Sequence, residues 1–229
     1  MLDYEYLLLD ADGTFLDFSR TEEESLRSLF AHFGIPYTPQ LVSLYHKSNA
    51  LCWKMLEEGS LGMKELEERR FQLFFDSQDL ALDSHEASEY YIDRLSQEAY
   101  LIDGARNLLE RLYGDYRLVV ITNGIARVQR GRLAKLGLTG LFSHIVISGE
   151  IGASKPSAEF FDRTLEITGA GRKDCLVIGD SLTSDMKGAL DNGFDALYLH
   201  LGKQDVQVPE GVKYDAESYA QLADIIYAD

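Results

Sequence analysis

The stretch YEYLLLDADGT, residues 4–14, decides the fold of this chain. Its first six residues are largely apolar, and a polar turn that contains Gly13 follows them directly. A short apolar run that ends in such a turn predicts a buried strand of a parallel sheet. In open parallel sheets, ligands bind beyond the carboxyl ends of the strands. Asp10 and Asp12 therefore lie where a functional site is expected.

Four later runs have the same character, since each is short, rich in Val, Ile or Leu, and bounded by Gly, Asp or Asn. They cover residues 117–121, 144–148, 175–178 and 196–199. Amphipathic helical patterns accompany these runs at 105–112, 126–136, 157–166 and 184–192. The alternation predicts βαβ units, and hence an α/β fold with a Rossmann-like parallel sheet. Residues 216–227 are expected to end the fold as a surface helix.

Residues 18–101 interrupt this alternation, because they contain helical patterns and no convincing strand. The patterns cover residues 21–33, 40–58, 63–75 and 84–97. A segment of roughly 80 residues is too long for an ordinary connection between two elements. We therefore predict two domains: an α/β core made of residues 1–17 and 102–229, and an α-helical cap, residues 18–101, inserted after the first strand.

The residues that follow the predicted strands carry groups suited to phosphate and metal chemistry. Thr122 and Asn123 follow the second strand, and Lys155 follows the third. The fourth strand leads to Asp180, and Asp185 comes five residues later. Because the carboxyl ends of parallel strands share one edge, these residues are expected in one crevice with the two aspartates of the first strand.

Asp10 and Asp12 are two residues apart, so at strand periodicity their side chains point the same way. A bound Mg²⁺ would relieve their repulsion, and Mg²⁺ prefers carboxylates, water and phosphate oxygens. The histidines and cysteines form no cluster with metal spacing, which makes zinc a poor fit. A carboxylate beside a bound phosphate can attack phosphorus to form an acyl phosphate, and a second carboxylate can protonate the leaving oxygen.

Four motifs in this chain resemble those of the haloacid dehalogenase superfamily in their order and spacing. They are Asp10-x-Asp12-Gly13-Thr14, Thr122-Asn123-Gly124, Lys155-Pro156 and Gly179-Asp180-x4-Asp185. The resemblance implies that Asp10 is the nucleophile and that Asp12 is the general acid and base. It implies phosphate binding by Thr122, Asn123 and Lys155. It also implies Mg²⁺ as the cofactor, held by Asp10, Asp180 and Asp185 and by the backbone carbonyl of Asp12.

Residues 49–53, 58–61 and 68–71 of the predicted cap are similar to the branch called noncanonical pyrimidine nucleotidases, as are residues 146–152. This resemblance implies a 5′-nucleotidase that acts on nucleoside 5′-monophosphates, pyrimidine deoxynucleotides in particular. A sugar-phosphate or phosphoglycolate phosphatase and a phosphomutase stay open as alternatives, because the core motifs do not set specificity. A non-catalytic binding module that has kept the fold is a further alternative.

Some of these residues also have ordinary structural interpretations. Ser184 could be the N-cap of the helix after the fourth strand, and Asp185 could stabilise the N-terminus of that helix. Lys155 could be a solvated loop lysine. The occurrence of all four motifs after separate strands favours the functional interpretation.

The predicted cap and the region after the second motif hold further residues whose roles differ. Phe71, Phe74 and Phe75 are expected to pack between helices, whereas the role of Trp53 stays open. Three arginines follow the second motif: Arg127, Arg130 and Arg132. Two interpretations stay open: the arginines form a solvated helix face, or one of them reaches the substrate.

The formal net charge of −16 over 229 residues repels nucleic-acid backbones and anionic membranes. We therefore expect neither as a partner, and we expect local positive charge where a small phosphorylated metabolite binds. No apolar run approaches the roughly 20 residues that a membrane-spanning helix needs. The first residues lack the basic region of a signal peptide, and Cys52 and Cys175 form no CxxC pair. A cytoplasmic protein with reduced thiols is expected, and its oligomeric state stays open.

Overall fold

The computed structural model describes residues 1–57, 59–203 and 206–228, with Glu57 described in its backbone only. The chain divides into two compact units. The first, here called the core unit, consists of Met1–Phe18, Tyr100–Ala126 and Leu133–Asp229. The second, here called the helical unit, consists of Ser19–Ala99 and Arg127–Arg132. The role of residues 18–101 as a cap stays a prediction.

A parallel sheet forms the centre of the core unit. Its strands are β1 (Tyr6–Leu9), β2 (Arg117–Thr122), β3 (His144–Ile147), β4 (Cys175–Gly179), β5 (Asp195–Leu199) and β6 (Tyr214–Ala216). They are all parallel and lie in the order β3-β2-β1-β4-β5-β6. Leu8 of β1 lies opposite Val119 on one side and Val177 on the other. The sheet confirms the predicted α/β class, and the central position of β1 explains why it is apolar throughout.

Helices accompany the strands along the chain. They are α1 (Phe18–His32), α2 (Pro39–Glu57), α3 (Met63–Asp76), α4 (Ser84–Gln97), α5 (Ala105–Tyr113), α6 (Ala126–Lys135), α7 (Ser148–Ile151), α8 (Ala158–Thr168), α9 (Lys187–Asp191) and α10 (Tyr219–Ile226). Leu7 and Leu9 pack in an apolar cluster with residues of α5 and α10. Leu8 packs in a second cluster with Phe161 of α8. Side chains alternate between the faces of a strand, so both faces of the sheet are covered by apolar residues.

The end of the chain differs from the helix predicted for residues 216–227. Residues 214–216 form β6, and Ala216 pairs with Leu199 of β5. The helix α10 begins only after Ser218, whose hydroxyl accepts a hydrogen bond from the Gln221 N–H at 3.2 Å. Three residues of α10 are buried in the core: Leu222, Ala223 and Ile226. The predicted start of the helix at residue 216 was therefore wrong. The helix is also only partly on the surface, because one of its faces covers the sheet and is buried.

The segment after β4 also differs from the predicted helix at 184–192. A π-helical turn, Leu182–Met186, comes first, and α9 follows it. The cap of this turn is Ser181, whose hydroxyl accepts from the Ser184 N–H at 3.2 Å. The interpretation of Ser184 as the N-cap was therefore wrong. Such π-helical turns occur frequently at functional sites.

The helical unit contains α1 to α4, and its described residues form no strand. Aromatic side chains fill its interior: Phe30, Tyr45, Phe71, Phe74, Phe75 and Tyr91. The Phe30 and Phe74 rings stack with centroids 5.6 Å apart. Packing of the three phenylalanines of α3 is thereby confirmed, and Trp53 packs beside Cys52, Leu61 and Leu66. Glu58, part of the predicted helix at 40–58, lies outside the described residues.

The structure also bears on the cysteines and on membrane insertion. Cys52 and Cys175 are both buried and free. Across 1–57, 59–203 and 206–228, no helix combines the length and apolar character that crossing a bilayer requires.

Candidate active site

The candidate site lies at the carboxyl edge of the sheet, where β1, β2 and β4 end side by side. Asp10 continues the ladder one residue past β1, because its N–H donates to the Ile178 carbonyl at 2.8 Å. Thr122 is the last residue of β2 and is buried. Asp180 follows Gly179, the last residue of β4. The register of the three strands therefore brings residues from distant parts of the sequence to one edge.

Lys155 is the central cation of this site, with a side chain that is only 1% exposed. Its Nζ donates to Asp10 Oδ1 at 2.6 Å, to Asp185 Oδ1 at 2.7 Å and to the Ile121 carbonyl at 2.7 Å. An ammonium has three donors, so each of them has an acceptor in this arrangement. A direct hydrogen bond from Lys155 to a phosphate oxygen would replace one of these contacts. The interpretation of Lys155 as a solvated loop lysine was therefore wrong.

Three carboxylates surround one point at the same edge. Asp10, Asp180 and Asp185 each offer an oxygen, and these oxygens lie within 4.8 Å of one another. Asp185 is completely buried, and its Oδ2 accepts from the Ser181 N–H at 3.1 Å. Three clustered carboxylate oxygens are hard donors of the kind that Mg²⁺ binds, together with water and phosphate oxygens. The residues present therefore fit a divalent cation.

Two glycines leave room for these carboxylates. Gly13 has φ of +83°, and a Cβ placed on it would lie 2.6 Å from Asp180 Oδ2. A Cβ on Gly179 would lie 2.7 Å from Asp185 Cβ and closer still to its carboxylate. Any larger residue would push a carboxylate out of the cluster, because such separations are far below van der Waals contact.

The buried charges influence one another strongly. Burial raises the pKa of Asp10 well above its ordinary value, and the Asp185 carboxylate raises it further, while Lys155 opposes both effects. Burial lowers the pKa of Lys155, but the charges of Asp10 and Asp185 outweigh burial and raise that pKa above its ordinary value. Burial also raises the pKa of Asp180, against the attraction of Lys203. A cation among these carboxylates would offset their repulsion.

Asn123 holds Lys155 through its main chain. The Asn123 Nδ2 donates to the Lys155 carbonyl at 2.8 Å, and the Lys155 N–H donates to Asn123 Oδ1 at 2.9 Å. The two bonds join the end of β2 to the segment before α8. The predicted phosphate-binding role of Asn123 stays untested, and the structure adds a positioning role that the sequence did not indicate.

Asp12 lies two residues beyond Asp10 and is partly exposed. Its backbone forms a parallel bridge with Leu16, which closes the turn after β1. Thr14 lies in the same turn, and its hydroxyl donates to Asp10 Oδ2 at 3.4 Å. The roles predicted for Asp12 and Thr122 stay predictions.

Sequence reasoning missed several residues around this site. The Thr14 carbonyl accepts from the Tyr219 hydroxyl at 2.7 Å, and the Ser148 hydroxyl accepts from the Gly124 N–H at 3.0 Å. Lys203 contacts Asp180 through its ammonium, with Nζ 3.1 Å from Oδ2. Lys203 lies just after β5, and its place beyond a strand end was the signal that could have identified it.

The chain is similar in sequence to proteins of one large hydrolase family. A family model described as haloacid dehalogenase-like hydrolase matches residues 7–198. The pyrimidine 5′-nucleotidase PynA of Streptococcus pneumoniae is 32% identical to this chain, and the match covers 97% of this chain and 95% of PynA. The pyrimidine 5′-nucleotidase YjjG of Escherichia coli is 27% identical, with 92% of each chain covered.

The chain is also similar to a solved structure. That structure is the HAD-hydrolase YfnB from Bacillus subtilis bound to magnesium, for which interdomain movement was described. It matches with a TM-score of 0.88 and 32% identity, and the match covers 99% of this chain and 100% of YfnB. The likeness extends over both units of the chain.

Proposed function

Because the chain belongs to the haloacid dehalogenase-like hydrolase family, we propose that it is a Mg²⁺-dependent phosphatase that hydrolyses nucleoside 5′-monophosphates. The observation that carries this proposal is the cluster of Asp10, Asp180 and Asp185, in which Asp10 and Asp185 also accept hydrogen bonds from the buried ammonium of Lys155. The substrate class rests on the two relatives named as pyrimidine 5′-nucleotidases, which match over 92% and 97% of this chain. Pyrimidine nucleotides are therefore the preferred substrates in the proposal, and the cytoplasm stays its expected location.

In this proposal the cation is held by the carboxylates of Asp10, Asp180 and Asp185 and by the backbone carbonyl of Asp12. When bound, Mg²⁺ would neutralise the charge on the phosphate oxygens, which otherwise repel an anionic nucleophile. The fit of the carboxylate cluster supports this assignment, and so does magnesium in the similar YfnB structure.

Asp10 is the proposed nucleophile. Its carboxylate is held by Lys155 on Oδ1 and by Thr14 on Oδ2, which limits its rotation. Attack by an Asp10 oxygen on phosphorus forms the aspartyl phosphate while the bond from phosphorus to the 5′-oxygen breaks. A nucleophile that is already oriented needs little rearrangement at the moment of reaction.

Asp12 is the proposed general acid and base. It would first give its proton to the leaving 5′-oxygen, which releases the nucleoside. It would then accept a proton from the water that attacks the aspartyl phosphate, which releases phosphate and restores Asp10. Thr122 is proposed to bind the phosphoryl oxygens, and Lys155 to supply the buried positive charge beside them.

The proposal is tested by phosphate release from a panel of esters with Mg²⁺ or EDTA. The panel contains dUMP, dTMP, a hexose phosphate and phosphoglycolate. We expect the highest kcat/KM on the two nucleotides, and loss of activity in EDTA that Mg²⁺ restores. A higher kcat/KM on the hexose phosphate or phosphoglycolate would reject the nucleotidase assignment, and inactivity on every ester would favour a binding module.

Asp10→Asn tests the nucleophile directly. Loss of the nucleophile should lower kcat by about 10⁴-fold or more. Asp162→Asn is the matched control, because the Asp162 side chain is 58% exposed and pairs with Arg172 outside the site. Activity of Asp10→Asn close to that of Asp162→Asn would show that the nucleophile has been assigned to the wrong residue.

A further inference from the structure

Lys203 reaches the carboxylate cluster from the strand next to β4. Gly179 of β4 pairs with Tyr198 of β5, so the residues that follow these two strands meet at the same edge. A turn closed by the Lys203 N–H and the His200 carbonyl, 3.0 Å apart, brings the side chain back toward the sheet. Its Nζ then donates to Asp180 Oδ2 at 3.1 Å and to the Asp180 carbonyl at 3.3 Å.

The two lysines of the site differ in their surroundings. Lys155 is buried and donates to three acceptors, so moving its ammonium would leave buried groups without partners. The Lys203 side chain is 47% exposed, whereas that of Asp180 is 23% exposed. An ammonium at such a position can return to water at little cost, because exposed ion pairs contribute about 1 kcal/mol or less. Of the two lysines, Lys203 is therefore the one whose ammonium can move away from the carboxylates.

We propose that Lys203 is a positioning residue that holds Asp180 while no divalent cation is bound and releases it when the cation arrives. The inference rests on the Mg²⁺ site of the proposed function. Without a cation, the carboxylates of Asp10, Asp180 and Asp185 repel one another, and Lys203 offsets part of this repulsion at Asp180. With a cation beside the same carboxylate, the ammonium is repelled, so the two positive charges compete for Asp180.

Calorimetric titration with Mg²⁺ tests this competition without any need for turnover. Lys203→Met should bind Mg²⁺ more tightly by about fivefold, the factor that corresponds to the upper limit for an exposed ion pair. Lys203→Arg keeps the charge and should stay within about twofold of the wild type. Lys173→Met is the matched control, because it removes the same charge from an exposed residue at the opposite end of β4.

Thermal unfolding supplies a second readout that a purely structural role would not produce. Lys203→Met should lower Tm in EDTA, where Asp180 has lost its counter-charge, and should leave Tm unchanged in saturating Mg²⁺. An equal loss of Tm in both conditions, with the wild-type Kd for Mg²⁺, would overturn the inference. Weaker Mg²⁺ binding by Lys203→Met would overturn it too, because Lys203 would then support the cation.

The failure of this inference can be distinguished from failure of the proposed function. If the wild type binds Mg²⁺ and hydrolyses dUMP while Lys203→Met has the same Kd, only the role of Lys203 is refuted. If the wild type binds no Mg²⁺, the proposed cation site is refuted, and the proposed competition between Lys203 and the cation for Asp180 is refuted with it.

Discussion

The substitution Gly13→Ala tests whether the close approach of Asp180 to the turn after β1 is needed for cation binding. The alanine Cβ would lie 2.6 Å from Asp180 Oδ2, whereas ordinary contact begins at 3.4 Å. The carboxylate or the turn must therefore shift by about 0.8 Å to relieve the overlap. Mg²⁺ demands nearly ideal octahedral geometry, with ligand distances of about 2 Å. A shift of this size should thus disturb the site well beyond its tolerance.

Backbone strain has to be separated from this displacement, because Gly13 has a φ of +83° that disfavours alanine. Gly137→Ala is the matched control, since Gly137 has φ of +66° and no heavy atom within 4 Å of the added Cβ. Each substitution should reduce the free energy of unfolding by about 1–2 kcal/mol through strain alone. Each kcal/mol should lower Tm by about 2–4 °C in a protein of this size.

The two variants should then differ in function. We expect Gly13→Ala to bind Mg²⁺ about tenfold more weakly and to lose about 10²-fold in kcat/KM on dUMP, as displacements near 1 Å do in other active sites. Gly137→Ala should keep both values. Calorimetric titration gives the Kd for Mg²⁺, steady-state phosphate release gives kcat/KM, and urea unfolding in EDTA gives the stability of each variant.

Two results would contradict the expected effect of Gly13→Ala on cation binding. If Gly13→Ala matched Gly137→Ala in Kd and in kcat/KM, the contact between Gly13 and Asp180 would not limit the site. If Gly13→Ala lost activity but kept its Kd for Mg²⁺, the turn would act on the substrate and not on the cation.

Two further predictions concern one residue of each unit. Asn123→Ala removes both hydrogen bonds to the Lys155 main chain and should reduce the free energy of unfolding by about 1–3 kcal/mol, measured by urea unfolding. It should also lower kcat, because Lys155 becomes less well positioned. A wild-type free energy of unfolding together with a wild-type kcat would contradict this prediction. Burial raises the pKa of Glu22 above its ordinary value of 4.5, so the native state binds more protons than the unfolded state. The free energy of unfolding should therefore fall as the pH rises above 4.5, and Glu22→Gln should reduce that fall. Identical pH profiles for Glu22→Gln and the wild type in urea unfolding would exclude this contribution.

Much of the core unit could be predicted from sequence, because the pattern that indicates each strand lies within a few neighbouring residues. Apolar runs such as 175–178 are too short for a typical buried helix and are bounded by polar residues and glycine, so they indicate buried strands. The helical patterns between these runs imply parallel pairing. The acidic residues Asp10 and Asp180 follow their strands directly, so the sheet carries them to one edge. The short strand β6 escaped prediction, because three residues carry no periodic signal and their pairing depends on β5.

Contacts within the site could not be predicted in the same way. Asp10 and Lys155 are 145 residues apart, and the sequence indicates only that both follow strands. The three acceptors around Lys155, the two bonds from Asn123 and the reach of Lys203 all depend on loop paths and side-chain rotamers. The cap after β4 could not be predicted either. Ser181, and not Ser184, is the N-cap there, because a π-helical turn begins at Leu182 before α9.

The sequence by itself therefore determined the class of fold, the order of the motifs and the edge of the sheet at which they meet. A hydrophobic pattern of a few residues is enough for this, because each strand and each helix carries its pattern within its own residues. Only the tertiary structure decided which carboxylate faces which ammonium. Those contacts join residues that are distant in sequence, and their side-chain positions depend on close packing against many other parts of the chain.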